Sequence, residues 1–274
     1  MKQTEYIVDR DWLKSQLDNP QIAIIDCRFQ LADPEWGKEV YKQSHIPVAY
    51  YLNLDRDLSS AVQQHGGRHP LPDLNLLARK LAQMGIIRNE TLVVAYDDSR
   101  FAFASRLWWL LRYMGHDSVV LLDGGWSEWV QDNPVSSNIP TEKAGSFEPQ
   151  PNLDWLVDID AVKSAQDNDK IVIIDSRDRD RYLGQREPID PIAGSIPGAV
   201  NSPWKQVSDE LGYLQPLESQ QQLWSDCEQA EEIIVYCGSG VTACVNLLSL
   251  NMAGFENTKL YAGGWSDWCS YLEE

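Results

Sequence analysis

The sequence predicts an α/β protein of two tandem domains, each a mainly parallel sheet with helices on both faces. Three observations predict it. At 274 residues the chain is long for one domain and comfortable for two of about 130 residues each, since domains cluster near ~100–150 residues. It repeats itself once along its length. Each copy alternates short β-branched runs with longer helical stretches, the pattern of a parallel sheet covered on both faces.

The repeat is the strongest organisational signal. IAIIDCR (22–28) matches IVIIDSR (171–177), and HIPVAYYLNL (45–54) matches SIPGAVNSPW (195–204). LVVAYDDS (92–99) matches EIIVYCGS (232–239), and LLDGGWSEW (121–129) matches KLYAGGWSDW (259–268). The order is kept, at an offset of about 140–150 positions, so the copies are duplicated domains rather than units of a solenoid. Between them runs a polar, proline-bearing stretch (131–152) whose composition predicts an exposed linker. The boundaries are therefore set at 1–135, a linker at 136–152, and 153–274.

Within each copy, IAIID, LVVAY, IVIID and EIIVY predict buried strands. FAFASRLWWLLRYMG and VTACVNLLSLNMAG have helical length and each ends on a glycine, the usual residue just past a helix. Several of the eleven tryptophans recur at matched places, which makes them architectural.

Composition narrows the function. An apolar fraction of 43% is enough for ordinary cores. A net charge of −18 argues against nucleic-acid or anionic-membrane partners, which need clustered Lys and Arg. An anionic substrate would need a local positive site to overcome that field. The N-terminus MKQTEYIVDRDW lacks an apolar signal core, and no run approaches ~18 apolar residues. Five unevenly spaced cysteines (Cys27, Cys227, Cys237, Cys244 and Cys269) are not a disulfide framework, so a reducing cytoplasm is expected. No Cys/His ligand cluster is present, so no metal is expected.

One cysteine stands apart. Cys237 directly follows the strand EIIVY and precedes a helix, the place where parallel sheets bind ligands. The loop Cys237-Gly238-Ser239-Gly240-Val241-Thr242 has two glycines around a serine, so its backbone can curl and point successive N–H groups inward. With the positive end of the helix behind it, such a nest favours a thiolate and could hold the outer sulfur of a persulfide anion. The other four cysteines are expected to be buried apolar residues.

The Cys237–Thr242 loop, the Ile-Pro-Gly-Ala block at 196–199, the two Gly-Gly-Trp blocks and Gly-Arg-His-Pro-Leu-Pro at 67–72 together resemble the 3-mercaptopyruvate sulfurtransferases of the rhodanese superfamily. The resemblance covers nearly the whole chain. It implies two tandem rhodanese-like domains, with Cys237 as nucleophile and no cofactor. Asp97 stands where Cys237 stands in the repeat, so the first domain is expected to be catalytically silent. Thiosulfate-preferring relatives place basic residues directly after the cysteine. Here Gly238 and Ser239 are neutral, which favours a donor with one carboxylate, such as 3-mercaptopyruvate.

The resemblance also implies supporting residues. Arg181, in its Arg-aromatic-x-Gly setting, matches the family's substrate-binding arginine, with the loop at Gly238, Gly240, Val241 and Thr242 contributing amides. Arg186 is the nearby candidate for a second carboxylate-binding arginine, in a segment shorter than the family's. Ser239, His69 and Asp55 match a proposed proton relay; capping a loop is the competing role for His69. The implied acceptor is a thiol, cyanide or a thioredoxin-like protein. Thiosulfate:cyanide transfer through the same nucleophile, and a sulfur carrier without turnover, are the alternatives. A Cys-based phosphatase is disfavoured, because no arginine follows in the helix start to clamp phosphate.

Overall fold

The repeat is realised as two sheets of identical topology in the computed structural model, which describes residues 6–272. The first five residues, part of the N-terminal segment read above for a signal core, and the last two of the second domain lie outside the described residues. The first domain contains β1 (Ile7–Val8), α1 (Arg10–Ser15), β2 (Ile22–Asp26), α2 (Trp36–Gln43), β3 (Tyr50–Tyr51), α3 (Leu74–Gln83), β4 (Leu92–Tyr96), α4 (Ala104–Tyr113), β5 (Val119–Leu122) and α5 (Gly125–Asp132). The second contains β6 (Leu156–Val157), α6 (Ile159–Ala165), β7 (Ile171–Asp175), α7 (Arg179–Tyr182), β8 (Val200–Asn201), α8 (Leu217–Leu223), β9 (Glu232–Tyr236), α9 (Ala243–Ala253), β10 (Thr258–Tyr261) and α10 (Gly264–Ser270). The strand orders are β1-β5-β4-β2-β3 and β6-β10-β9-β7-β8, and every pair described is parallel. The four predicted strands are β2, β4, β7 and β9, the central strands of their sheets.

Two helices join the domains. The sequences of α4 and α9 carry apolar residues on every face, and such a helix must be buried on every face. They pack on each other and lie within one apolar cluster that runs from Ile25 and Trp108 in the first domain to Leu247 and Leu260 in the second. Each large apolar side chain buried in this seam contributes roughly 1.5–3 kcal/mol. The domains are therefore one packed unit, and the loops entering α4 and α9 meet the opposite domain. At its far end α9 stops as predicted, with Gly254 left-handed at φ 99°.

The stretch read as an exposed linker carries mostly exposed side chains, but its backbone is tied to the first domain. Ser136 exchanges both backbone hydrogen bonds with His45 (2.9 and 2.8 Å). Further along, Lys143 N donates to Gln83 O (2.8 Å), Gln150 N to Met114 O and Asn152 N to Tyr113 O (both 2.9 Å), while Phe147 is buried. Polar composition correctly marked exposed side chains there. It could not reveal that the backbone is a strap docked along the first domain.

Helix α4 also begins later than the apolar run implied, at Ala104. The Asp97 carboxylate causes the delay. It accepts the backbone N–H groups of Ser99 (2.8 Å), Phe101 (3.1 Å), Phe103 (2.9 Å) and Ala104 (2.8 Å), so the chain wraps around it before the helix starts.

Candidate active site

The loop after β9 has the same frame as the Asp97 loop but a different occupant. Trp126 N donates to Asp97 O in the first domain, and Trp265 N donates to Cys237 O in the second, both at 2.8 Å. In the first loop four N–H groups are consumed by a carboxylate. In the second, the N–H groups of Gly238, Ser239, Gly240, Val241 and Thr242 have no hydrogen-bond partner among the described residues. This is the amide nest that the sequence predicted, with a thiol at its edge. Gly240 makes the curl: it is left-handed (φ 71°), and a Cβ there would strike the Ala262 carbonyl.

Cys237 is 2% exposed, so it lies on the floor of the site. A cavity of about 260 Å³ opens above it, lined on the second domain by Cys237, Gly238, Ser239, Val241, Thr242 and Arg181, and on the first by Arg68 and His69. Gly240 does not line the cavity; its role is to shape the loop. The other four cysteines are buried and free, and burial pushes the Cys244 thiol up to about 12.

The first domain reaches over the second through the loop before α3. Gly66 N donates to Asp267 Oδ1 (2.7 Å), and Gly67, left-handed at φ 78°, lies against the Gly263 carbonyl where no Cβ would fit. That docking delivers the next two residues to the cavity. His69 Nδ1 is 2.7 Å from Ser239 Oγ, and its Nε2 is 3.4 Å from Asp55 Oδ1. The three residues of the implied relay thus stand in series. Burial, with the charges of Arg106 and Arg68, pushes the His69 imidazole down to about 3, so the ring is neutral at physiological pH. Burial also raises the Asp55 carboxyl. Buried Arg106, from α4, donates to Gly240 O (3.0 Å) and His69 O (3.1 Å), latching both site loops to one guanidinium.

A chain of ion pairs forms the opposite wall. Buried Arg177 forks onto Asp175 (3.1 and 2.6 Å) and reaches Glu187 (3.2 Å). Arg181 forks onto Glu187 (3.1 and 2.7 Å) and reaches Asp190 (3.3 Å), which also accepts from Arg68. Arg28 and Asp26 repeat the first link in the other domain, where Arg28 stacks on Trp126 as Arg177 stacks on Trp265. Arg177 borders the cavity too, but its guanidinium is committed to bracing the loop through Asp175, Glu187 and Gly194 O.

Arg186 is not at the site. Its guanidinium pairs with Asp180 (2.6 Å) on the exposed outer side of α7 and does not line the cavity. The turn after α7 leaves it one helical turn from an exposed carboxylate. Asp190, not an arginine, is what this segment sends inward. The cation that sequence reasoning missed is Arg68, which the Gly-Arg-His-Pro run contains but whose aim depends on a contact with the other domain.

Two regions, residues 9–132 and 158–271, match the rhodanese-like domain family. The chain belongs to the rhodanese-like family. It is 41% identical to a probable 3-mercaptopyruvate sulfurtransferase of Pseudomonas aeruginosa over 93% of this chain and 92% of that one. It is 33% identical to a putative thiosulfate sulfurtransferase of Mycobacterium tuberculosis, over 91% and 88% of the two chains. The crystal structure of SseA from Escherichia coli, described as a 3-mercaptopyruvate sulfotransferase of the rhodanese fold, superposes with a TM-score of 0.83 at 30% identity, covering 95% of this chain and 99% of that one. The tandem architecture expected from the repeat, and the rhodanese fold implied by the resemblance, are the observed ones. Among the described residues no helix is long and apolar enough to cross a membrane.

Proposed function

We propose that this protein is a sulfurtransferase that takes sulfur from 3-mercaptopyruvate onto Cys237 and passes it to a thiol. The observation that carries the reading is the single armed loop: a cysteine on the floor of an amide nest whose twin is filled by Asp97.

The reaction is ping-pong. Cys237 thiolate attacks the donor sulfur, an S–S bond forms and the C–S bond breaks. The bonding pair leaves on carbon as the enolate of pyruvate. Attack leaves Cys237–S–SH; its proton passes to solvent, free amides of the Cys237 loop stabilise the resulting persulfide anion, and Arg181 holds the donor carboxylate. Ser239 Oγ–H protonates the carbon and is refilled by His69 Nδ1–H. Asp55 reloads Nε2 and is itself reloaded from solvent, its side chain being 40% exposed against 8% for His69. A thiolate, cyanide or the thiol of a thioredoxin-like protein then attacks the outer sulfur and releases Cys237.

Charge balance supports a donor with one carboxylate. Arg68, Arg177 and Arg181 are matched by Asp175, Glu187 and Asp190, so the wall offers directed N–H groups without surplus positive charge. A dianion such as thiosulfate would need that surplus. Five free, buried cysteines suit a reducing cytoplasm.

The test is mass spectrometry after exposure to mercaptopyruvate or thiosulfate without acceptor. The expected result is one added sulfur on the Cys237 peptide, formed more efficiently from mercaptopyruvate and absent in Cys237→Ser. Sulfur on another cysteine, or turnover surviving in Cys237→Ser, would refute the assignment; higher efficiency with thiosulfate would reverse the donor.

A further inference from the structure

Among the described residues three arginines are buried, and they differ in what they pair with. Arg28 forks onto Asp26 and Arg177 onto Asp175, each a carboxylate two positions earlier. Arg106, fully buried on α4, has no carboxylate within ion-pair distance among the described residues. Three backbone carbonyls accept from its Nη groups: Gly240 O at 3.0 Å, His69 O at 3.1 Å and Leu58 O at 3.4 Å. Its Nε is buried without a hydrogen-bond partner among the described residues. Carbonyl oxygens solvate a cation but do not neutralise it, and a buried charge without a counter-ion is costly.

The ionisable groups that Arg106 faces are two sulfurs. Burial pushes its guanidinium down, and Cys244 and Cys237 push it back up. Cys244 is not the anion: burial pushes its thiol up to about 12, and its Sγ–H donates to Gly240 O (3.4 Å). A histidinium, the common partner of a reactive thiolate, is not available either, because His69 is held neutral, in part by Arg106 itself. The cations lining the cavity are already paired: Arg68 with Asp190, Arg181 with Glu187 and Asp190, Arg177 with Asp175 and Glu187, and Lys205 with Asp178. Arg106 does not line the cavity; it reaches the Cys237 loop from the helix packed against α9 at the domain seam.

We propose that Arg106 is the counter-cation of Cys237, supplied across the seam by the first domain. It stabilises the sulfur whenever that sulfur is anionic, as the thiolate before donor attack and as the persulfide after it. Arg106 touches neither donor nor acceptor, so it is a positioning residue that acts through Cys237. The proposal rests on the reading of Cys237 as the nucleophile and deepens it: the amide nest supplies dipoles, and α4 supplies the full charge.

The test reads the thiolate without any sulfur donor. Cys237 is alkylated with iodoacetamide from pH ~6 to ~10, a range that spans ordinary thiol ionisation, and the Cys237 peptide is followed by mass spectrometry. Arg106→Gln keeps donors for the loop carbonyls but not the charge. It should alkylate ~10-fold more slowly than wild type at pH ~7, the effect of removing an opposite charge near an ionising group, and should catch up by pH ~10. Arg106→Lys keeps the charge and gives up most of the carbonyl bonds, and its rate at neutral pH should stay close to that of wild type. A role limited to latching the two loops predicts the opposite order, with Lys the more damaged and the change equal at every pH. No deficit in Arg106→Gln, or one that persists unchanged to high pH, would overturn the pair. If the Gln variant does not fold, Arg106→Lys decides alone, and a pH-independent deficit in it would likewise overturn the pair. Wild-type protein that took no sulfur from mercaptopyruvate would sink the proposed function and leave the alkylation result standing.

Discussion

His69 Nδ1 stands 2.7 Å from Ser239 Oγ although 170 positions separate them, and the contact crosses the domain seam. The proposed proton donor to the Cys237 loop thus comes from the other domain, whose matching loop holds Asp97 in place of the cysteine. If that donor serves the enolate, its loss should be felt only where carbon must be protonated. His69→Asn should slow persulfide formation from mercaptopyruvate ~10²–10⁴-fold, the range of general acid catalysis. Thiosulfate releases sulfite and needs no carbon protonation, so its slower reaction should be nearly unaffected. Single-turnover kinetics with each donor check this, and equal damage to both would remove His69 from the relay.

The ionisation of His69 gives a second expectation. Burial and two nearby guanidinium groups hold it at about 3, and burial holds His116 at about 4, against ~6.5 in an unfolded chain. The native state therefore binds fewer protons than the unfolded state between these values. Stability from both groups is present above pH ~6.5 and is lost as pH falls toward 4 and then 3. The melting midpoint should drop through that window, and His116→Asn should flatten the drop in its upper part. Activity, by contrast, should show no inflection near pH 6.5 from His69, because the ring does not titrate there.

Asp97 shows what the amide nest costs when it is emptied. Four backbone N–H groups end on its carboxylate in a fully buried setting. Asp97→Ala should destabilise the protein by about 2–4 kcal/mol, since buried donors lose their partner. Below the lowered melting midpoint, sulfur loading of Cys237 should continue, which separates a structural role for Asp97 from a catalytic one. Thermal melts paired with loading assays decide the point.

How far the sequence speaks follows from the range of each interaction. The repeat, the central strands and the Cys237 loop are written in consecutive residues, and they stand where expected. Arg68 was unreadable because its aim is set by Asp190, 122 positions away, and by the seating of Gly67 on Gly263. Arg186 misled for a different, local reason: Asp180, on the exposed side of α7, draws it outward although it lies close in sequence to Arg181. The docked strap at 136–152 was hidden because its backbone makes the contacts while its side chains remain polar. Local pattern locates the Cys237 loop and Arg181; the placing of Arg68 and His69 over them is made by contacts between domains.

Gly67 is where those contacts can be tested without touching a reacting group. It is left-handed at φ 78°, and a Cβ would collide with the Gly263 carbonyl, a backbone atom that cannot swing aside. Gly67→Ala must therefore lift the loop carrying Arg68 and His69 from the second domain. Its strain should cost on the order of 1–3 kcal/mol, small enough for the two-domain core to survive. Proton delivery through His69 would weaken, so kcat for mercaptopyruvate should fall. Gly66 is the control: it is also left-handed, at φ 97°, but a Cβ there meets nothing within 4 Å. Gly66→Ala should share the backbone strain yet keep most of the activity. Kinetics of the two variants side by side separate displacement of the loop from strain within it, and equal losses would mean that the seating on Gly263 does not build the site.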